Sequence, residues 1–469
     1  MSAVIPFFEA GAVEPAATRA QFALPTAHPD CQRLAAGWMW VSFSALVGAG
    51  LFALLIVLAR TPYVSSLFPT VDFFRSALVV HVDLSVLVWF FAFAGVLWSA
   101  ASPPQWLTLG WAALTFTGAG ALMLVLSPFI ATGGPLMNNY IPVLQNRAFL
   151  AGLVLFGFGV GMAAFRGLVT LPGLLTRTEC EDRATRFGLH AAAFATAMAL
   201  LAYSWAFATI PYFVRGLAYC ESLFWGGGHV MQFAYTSLML VAWLWLATEV
   251  GARVPLTARV TTLFFALGVA PVLATPLIYL SYPTHSFDNM EAFTKMMRVG
   301  GGFAALPLGL AVTIGLWRSA RPNPQVRPQF TALLWSLLLF AFGGGISFLI
   351  RESNTIITAH YHATGGAVSV AFMGAAYALL PRIGFGRADA KLARWQPTVY
   401  GVGQFFHILG LLWSGGYGVQ RKVAGADQAL HGFAQIAGMG LMGLGGLIAV
   451  VGGLMFLLVV FRAMRLRAR

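Results

Sequence analysis

The sequence predicts an all-α integral membrane protein of about twelve transmembrane helices, and three observations support this fold class. Hydrophobic residues make up 59% of the 469 residues and charged residues only 9%, whereas soluble domains carry roughly 25% charged residues. The mean hydropathy is +0.79. Apolar stretches of about 20 residues, enough to cross about 30 Å of hydrocarbon, recur along the whole length. These features exclude a water-soluble protein.

Glycines, prolines and charge clusters divide the apolar sequence into successive spans, which we number 1 to 12 in chain order. Such residues mark turns and aqueous loops. Glycine-rich patches inside spans 6 and 9 allow helices to approach closely or leave room for a flat ligand. The predicted spans are residues 34–60, 72–100, 105–130, 147–171, 187–211, 219–249, 257–284, 297–317, 329–350, 357–381, 396–418 and 432–461.

The spans form one predicted membrane domain, residues 34–462, flanked by an N-terminal tail, 1–33, and a basic tail, 463–469. The first 30 residues have the mixed, proline-containing character of an extramembrane tail rather than of a cleavable signal peptide. Most Lys and Arg lie in loops that share a side with the N-terminus, so the positive-inside rule predicts that both tails are cytoplasmic. These loops explain the net charge of +13, and we expect a lipid bilayer and no nucleic acid as partner.

Five of the nine histidines are predicted to lie in one layer of the membrane. They are His81 in span 2, His229 in span 6, His285 at the end of span 7, and His360 and His362 near the start of span 10. Even-numbered spans run inward and odd-numbered spans run back, so all five converge on the outer half. A lone membrane histidine is more often a packing residue than a ligand, but five at one level are hard to explain by packing. Imidazole suits haem iron, copper and other transition metals.

The H-x-H sequence formed by His360 and His362 adds a geometric argument. Residues two apart on an α-helix point about 200° apart. The two imidazoles therefore cannot easily bind one metal ion. We expect them to face two different cofactors on opposite sides of span 10.

These residues resemble the haem–copper oxidase superfamily, specifically subunit I of cytochrome c oxidase and the large subunit of nitric oxide reductase, over nearly the whole chain. AYALLPRI, which follows the H-x-H pair, is also similar to family sequence. The resemblance implies a subunit I-like bundle with two haems, in which His81 and His362 hold a low-spin haem. It further implies that His360 is the proximal ligand of a high-spin haem, and that His229 and His285 hold copper, or iron in nitric oxide reductases.

The sequence departs from the family in the ligands of this second metal. The family has adjacent histidines on span 7, but Ser286 follows His285 here, so one ligand is missing. Two imidazoles hold copper less securely than three. The resemblance therefore implies a divergent member, whose site recruits another ligand or lacks the second metal.

Tyr279 supports an oxidase-like site of the C type. C-type oxidases carry a redox tyrosine on span 7, six residues before the first histidine, and Tyr279 has this offset from His285. Nitric oxide reductases lack this tyrosine and carry a glutamate four residues after the span 6 histidine, where this chain has Phe233. The resemblance thus implies a catalytic Tyr279, although an aromatic packing role stays open.

Arg421 and Lys422 lie in the loop after span 11, on the outer side, against the general charge bias. In the family a basic pair in this loop binds the anionic haem propionates. Charge-assisted hydrogen bonds to carboxylates explain such a placement. We therefore expect both residues to bind cofactor, with a solvated loop pair as the alternative.

The favoured function is the catalytic subunit of a respiratory terminal oxidase, a cytochrome c oxidase-type oxidoreductase in a bacterial inner membrane. Electrons would pass from the low-spin to the high-spin haem and reduce O2. The donor would be cytochrome c, or a partner subunit carrying a copper-binding domain or a c-type haem. The alternatives are a nitric oxide reductase with non-haem iron, whose substrate is NO, and a haem-binding electron-transfer membrane protein that lacks the second metal.

Overall fold

The computed structural model of the chain describes residues 22–23, 27–64, 71–171, 182–320, 322–388, 390–423 and 428–466. Much of the predicted N-terminal tail and the end of the basic tail lie outside these residues. Helices follow one another through the described chain, joined by short loops. A two-stranded antiparallel hairpin, Pro135–Leu136 with Val143–Leu144, lies between spans 3 and 4.

The helices take up the predicted spans in order. Their bounds are Pro29–Arg60 (span 1), Val71–Val82, Asp83–Val88 and Trp89–Ala101 (span 2), Leu107–Ile130 (span 3), Arg147–Thr170 (span 4), Arg183–Thr209 (span 5), Gly216–Glu249 (span 6), Ala258–Val269, Ala270–Ala274 and Thr275–Ser281 (span 7), Phe287–Gly300 and Gly302–Arg318 (span 8), Pro324–Val326 and Arg327–Ser347 (span 9), Thr355–Leu379 and Leu380–Ile383 (span 10), Ala390–Gly416 (span 11) and Gly432–Met464 (span 12).

Eleven of these spans, within the described residues, are long and apolar enough to cross a membrane. Span 11 is the one outside that set, and it lies along span 12. At Gly403 and Gly410 the two helices approach so closely that a side chain there would meet the backbone of span 12. The all-α, membrane-spanning fold class is therefore confirmed.

Two spans are interrupted within their helices. Span 2 contains a π-helical segment, Asp83–Val88, directly after His81, and π-segments often occur at functional sites. Span 7 contains a 3₁₀ segment, Ala270–Ala274, where Pro271 lacks a backbone donor. Span 7 also ends at Ser281, three residues earlier than predicted, because the residue before Pro283 disfavours the helical conformation.

Spans 2, 6 and 10 form the inside of the bundle. In their most apolar windows 72%, 89% and 83% of the residues are buried, against 22–44% in the other candidate spans. Aromatic rings join the three helices: Phe90 of span 2 contacts Tyr235 of span 6, and Phe93 of span 2 stacks on Phe372 of span 10. The inner spans are the ones that carry His81, His229 and the H-x-H pair. We call the end at which these even-numbered spans begin the histidine end.

Candidate functional site

The site begins with His81 in span 2, whose ring is fixed by the backbone of span 1. Its Nδ1 lies 2.9 Å from the carbonyl oxygen of Ala49. A carbonyl oxygen only accepts, so Nδ1 carries the hydrogen and donates it. In this neutral tautomer Nε2 keeps its lone pair, which is the form in which histidine binds a metal.

His362 of span 10 lies beside His81 and a third histidine. Its ring centroid is 4.8 Å from that of His407 in span 11, and it lies within electrostatic range of His81. His407 donates from Nδ1 to the carbonyl oxygen of Met442, over 2.9 Å. The ring of His362 has no hydrogen-bond partner within the described part of the chain. Spans 2, 10 and 11 thus bring three imidazoles together at the histidine end.

Arg60 adds a buried positive charge to this group. It ends span 1 and is 7% exposed. Its guanidinium donates to the side chain of Gln428 and to the carbonyl of Gln420, and it lies within electrostatic range of His362 and His407. A charged side chain at such a place is costly in a membrane and indicates a function.

His360 points to a different side of span 10. Its Nδ1 donates to the carbonyl oxygen of Gly343 in span 9, over 2.8 Å, whereas His362 faces spans 2 and 11. The two imidazoles of the H-x-H sequence therefore diverge, as the helical geometry requires. The Nδ1 bond again leaves Nε2 of His360 free to bind a metal.

The residues around the H-x-H pair fit a flat macrocycle. Positions three and four residues after a histidine lie on the same helix face, and after His362 these are Gly365 and Gly366. A Cβ added at Gly365 would meet open space, and one added at Gly366 would only touch Gln404 at 3.6 Å. Free Nε2 atoms above small residues are the arrangement that an axially ligated haem needs.

His229 of span 6 lies in an aromatic cage. Its Nδ1 donates to the carbonyl oxygen of Trp225, one turn earlier, over 2.8 Å. Its ring centroid is 4.9 Å from that of Tyr140 and 5.1 Å from that of Trp225. The side chain is 5% exposed, and its free Nε2 is again suited to a metal.

His285 and His229 differ in their surroundings. It falls in the loop between spans 7 and 8, is exposed, and has the ring of Phe213 as its aromatic neighbour, at 5.8 Å. No group of three His, Cys, Asp or Glu side chains that could hold a metal ion occurs among the described residues. The described residues therefore do not assemble a set of three donors for a second metal.

Tyr279 of span 7 points into the bundle. Its ring stacks on Trp205 at 5.6 Å and contacts Phe293 at 5.1 Å. The hydroxyl lies against Gly226, where an added Cβ would collide with it. This buried hydroxyl has no protein partner among the described residues, so it has a free hydrogen-bonding capacity that an ordinary packing residue lacks.

Arg421 and Lys422 bind the loop between spans 3 and 4. Lys422 donates to the carbonyls of Met137 and Asn138 and to the side chain of Asn139, and Arg421 also donates to Asn139. Burial and the neighbouring Arg421 lower the pKa of Lys422 to about 8, and Glu221 opposes this shift. Lys422 has a φ of 63°, which non-glycine residues rarely adopt. The basic pair thus lies at the histidine end.

Sequence reasoning assigned neither Arg60 nor His407 to the site. A signal for Arg60 was present, because a basic residue closes a 32-residue apolar helix at the outer end, against the charge bias. For His407 the sequence offered only its depth in span 11. Its contact with His362 depends on how spans 10 and 11 pack, which no local pattern encodes.

Comparison with known proteins identifies relatives of similar length. No family model matches the chain. A protein of Rickettsia prowazekii, described as uncharacterised, is 26% identical over 500 residues, covering 92% of this chain and 96% of that protein. A second uncharacterised protein, from Aquifex aeolicus, is 27% identical over 364 residues, covering 77% of this chain and 88% of that protein.

Among solved structures, the chain is similar to a haem–copper terminal oxidase dimer determined by cryo-EM. The TM-score is 0.68 at 16% identity, over 92% of this chain and 84% of that chain. At this identity the likeness shows the fold, so the helical bundle has a haem–copper oxidase-like architecture. This confirms the fold that the histidine pattern predicted.

Proposed function

We propose that the chain is the haem-bearing catalytic subunit of a respiratory terminal oxidase and a divergent member of the haem–copper superfamily. One observation carries the proposal. The two histidines of the H-x-H sequence face opposite sides of an inner helix, His362 toward His81 and His360 toward a carbonyl of span 9 that leaves its Nε2 free.

In this proposal each histidine has one role. His81 and His362 hold a low-spin haem between spans 2 and 10, and His360 holds a high-spin haem on the other side of span 10. The two haems, when bound, supply one-electron carriers and an open iron position for O2. Because their ligands are two residues apart on one helix, span 10 fixes the relative position of the two groups.

Basic side chains at the histidine end complete the haem site. Arg60, Arg421 and Lys422 supply positive charge where anionic propionates would lie, and charged hydrogen bonds to carboxylates are the strong ones. Electrons enter from a donor on the outer side, such as cytochrome c or a partner subunit with a copper-binding domain or a c-type haem. In the proposal, Tyr279 gives a proton at the reduction site, and its unpartnered hydroxyl supports this role.

A second candidate is an electron-transfer protein that binds haem and lacks the second metal. It is favoured by the exposure of His285, and no group of three metal-binding side chains occurs among the described residues. We therefore assign no step to a second metal. The two candidates share the haem ligands and differ in whether O2 is reduced.

Metal and haem analysis of the purified protein, followed by gas consumption, tests the proposal. We expect two haems per chain and consumption of O2 with a reduced donor. Two haems with one copper support the oxidase assignment, and two haems with a non-haem iron and consumption of NO support a nitric oxide reductase. Two haems with neither metal and no gas consumption support the electron-transfer protein. A chain that binds no haem overturns all three.

A further inference from the structure

Arg166 is a buried arginine near the end of span 4, on the side of the bundle opposite the histidine end. It is only 2% exposed. Its Nε donates to the carbonyl of Trp106 over 3.2 Å, and its Nη2 donates to those of Pro103 and Gln105 over 3.1 Å each. One edge of the guanidinium thus holds the loop between spans 2 and 3. Its Nη1 has no hydrogen-bond partner in the part of the chain that the structure describes.

The positive charge of Arg166 has no carboxylate opposite it among the described residues. Its titratable neighbour there is the buried thiol of Cys31, whose sulfur lies 3.9 Å from Nη2. A thiol is a weak acceptor, backbone carbonyls carry no net charge, and arginine stays protonated in proteins. Because buried arginines are almost always paired with a negative charge, Arg166 lacks the counter-charge that its burial requires.

A small cavity lies beside Arg166 and between spans 1, 2, 3 and 4. Its lining includes Trp38 of span 1, Trp98 and Ser99 of span 2, and Ala163 and Arg166 of span 4. Ser99 is 3% exposed, and its hydroxyl, like the guanidinium of Arg166, is a hydrogen-bond donor. Aromatic rings and small residues thus enclose a space that has a positive charge and a hydroxyl in its wall.

The size of the cavity selects among anions. It offers about 10 Å³ to the centre of a water-sized sphere, and roughly 10–15 Å³ by this measure is what one water molecule needs. A halide ion is the anion closest to water in size. Phosphate, sulfate and carboxylates contain several heavy atoms and do not fit.

We propose that Arg166 and Ser99 form a binding site for one halide ion, chloride under physiological conditions, in the cavity between spans 1 to 4. Nη1 of Arg166 and the hydroxyl of Ser99 are the donors, and the rings of Trp38 and Trp98 exclude bulk water, which strengthens the attraction between the two charges. The site lies at the other end of the bundle from the histidines and does not depend on the proposed function.

The ion helps Arg166 to fix the loop between spans 2 and 3. Trp106, directly before span 3, has a φ of 56°, which non-glycine residues rarely adopt, and Arg166 holds its carbonyl. A Cβ added at Gly110 would lie 3.2 Å from Nε of Arg166, so the glycine leaves room for the guanidinium. With the ion bound, the guanidinium is neutralised and held on both edges. Halide binding should therefore stabilise the folded protein.

Thermal unfolding of the purified protein in detergent, in chloride or in gluconate at equal ionic strength, tests the site. Gluconate is too large for the cavity, so it serves as the anion that does not bind. A ligand that binds only the folded state raises the melting temperature by mass action. We expect the melting temperature to be roughly 2–4 °C higher in chloride and bromide to act like chloride.

Two variants of span 4 separate the site from a general salt effect. Ala163→Leu fills the cavity and keeps Arg166, whereas Ala151→Leu adds the same side chain at an exposed position of the same helix. We expect the chloride response to disappear in Ala163→Leu and to persist in Ala151→Leu. Ser99→Val, which removes the hydroxyl and fills part of the cavity, is a second blocking variant in case Ala163→Leu does not fold.

Equilibrium dialysis against radioactive chloride measures binding directly. We expect one chloride per unchanged chain, and binding roughly ten-fold weaker or less in Ala163→Leu and Ser99→Val. Neither measurement needs haem or gas consumption, so an inactive protein with bound chloride contradicts the oxidase function alone. Equal melting temperatures in chloride and gluconate, or an equal chloride response in Ala163→Leu and Ala151→Leu, overturn the halide site.

Discussion

At the scale of single residues, four histidines make the same kind of hydrogen bond. His81, His229, His360 and His407 each donate from Nδ1 to a backbone carbonyl oxygen. The bond fixes the ring orientation and the tautomer, and it leaves Nε2 available. His362 differs, because its ring packs on His407 instead. The orientation of the His362 ring is therefore set by a neighbouring side chain. We expect it to change more on substitution of its neighbours than the orientations of the other four rings.

Replacing the proposed low-spin ligand gives the most direct prediction. We expect His362→Ala to abolish the low-spin haem spectrum, because alanine offers no axial nitrogen, and His229→Ala to leave that spectrum intact. His190→Ala is a matched control, since His190 is a span 5 histidine whose Nδ1 also bonds a backbone carbonyl. Optical spectra of the reduced, purified variants measure the effect. A low-spin spectrum that survives in His362→Ala contradicts the ligand assignment.

Arg60 should tune the electron affinity of the low-spin site. Its positive charge lies within electrostatic range of His362 and would stabilise an electron added to a haem held there. We expect Arg60→Gln to lower the midpoint potential by roughly 60 mV, which corresponds to about 1.4 kcal/mol for one electron. Redox titration of the low-spin spectrum measures the shift.

The control for this titration is Arg318→Gln, an exposed residue at the end of span 8, opposite the histidine end. This substitution removes the same charge far from the site, so the midpoint potential of the low-spin haem should equal that of the unchanged protein. Equal potentials in Arg60→Gln and Arg318→Gln would show that Arg60 does not act on the haem.

At the scale of helices, the sequence predicted the spans well and their interruptions poorly. A run of apolar residues requires a helix in lipid, because each backbone polar group must be satisfied within the segment. Hydropathy therefore finds spans 2, 6 and 10. The π-segment after His81 and the early start of span 8 at Phe287 depend on packing against neighbouring helices, which a single-residue pattern does not record.

The site was predictable to the extent that it depends on depth along a helix. His81, His360 and His362 were placed at one end because the direction of each span follows from its number in the chain. Whether two side chains meet depends also on how each helix is rotated. The structure places His362 within electrostatic range of His81, yet it leaves His285 exposed in a loop because span 7 ends early.

Close packing of spans 11 and 12 makes a quantitative prediction for stability. A Cβ added at Gly410 would collide with the backbone nitrogen of Met442, whereas one added at Gly440 meets open space. We expect Gly410→Ala to lower the free energy of unfolding by about 1–3 kcal/mol through overpacking. Gly440→Ala should leave it unchanged or raise it by up to about 1 kcal/mol, because alanine favours the helix.

Unfolding titrations in mixed detergent micelles measure both changes, and the two variants control for each other because each adds one methyl group to a glycine of the same helix pair. Equal stabilities would mean that the two helices separate enough to accept the extra methyl group. The close approach of spans 11 and 12 would then not contribute to the stability of the bundle.

At the scale of the whole molecule, the inner position of spans 2, 6 and 10 connects the site with the fold. These helices are shielded by the outer spans, so groups bound between them are kept from lipid and water. Basic residues and Glu221 are gathered at the histidine end, where these spans begin. In the proposed function, electrons and charged cofactor groups use this one end of the bundle.

This arrangement requires that the histidine end faces outward, and the orientation is testable. In a background with the three cysteines replaced by alanine, Tyr212→Cys puts a thiol in the exposed loop before span 6, and Ala320→Cys puts one in the loop after span 8, at the opposite end. We expect a membrane-impermeant maleimide to label Tyr212→Cys in intact cells and Ala320→Cys only after permeabilisation. The positive-inside rule predicts this result, because the loops at the Ala320 end carry most of the Lys and Arg. Labelling in the reverse order would place the histidine end on the cytoplasmic side, and the proposed electron entry from an outer donor would fail.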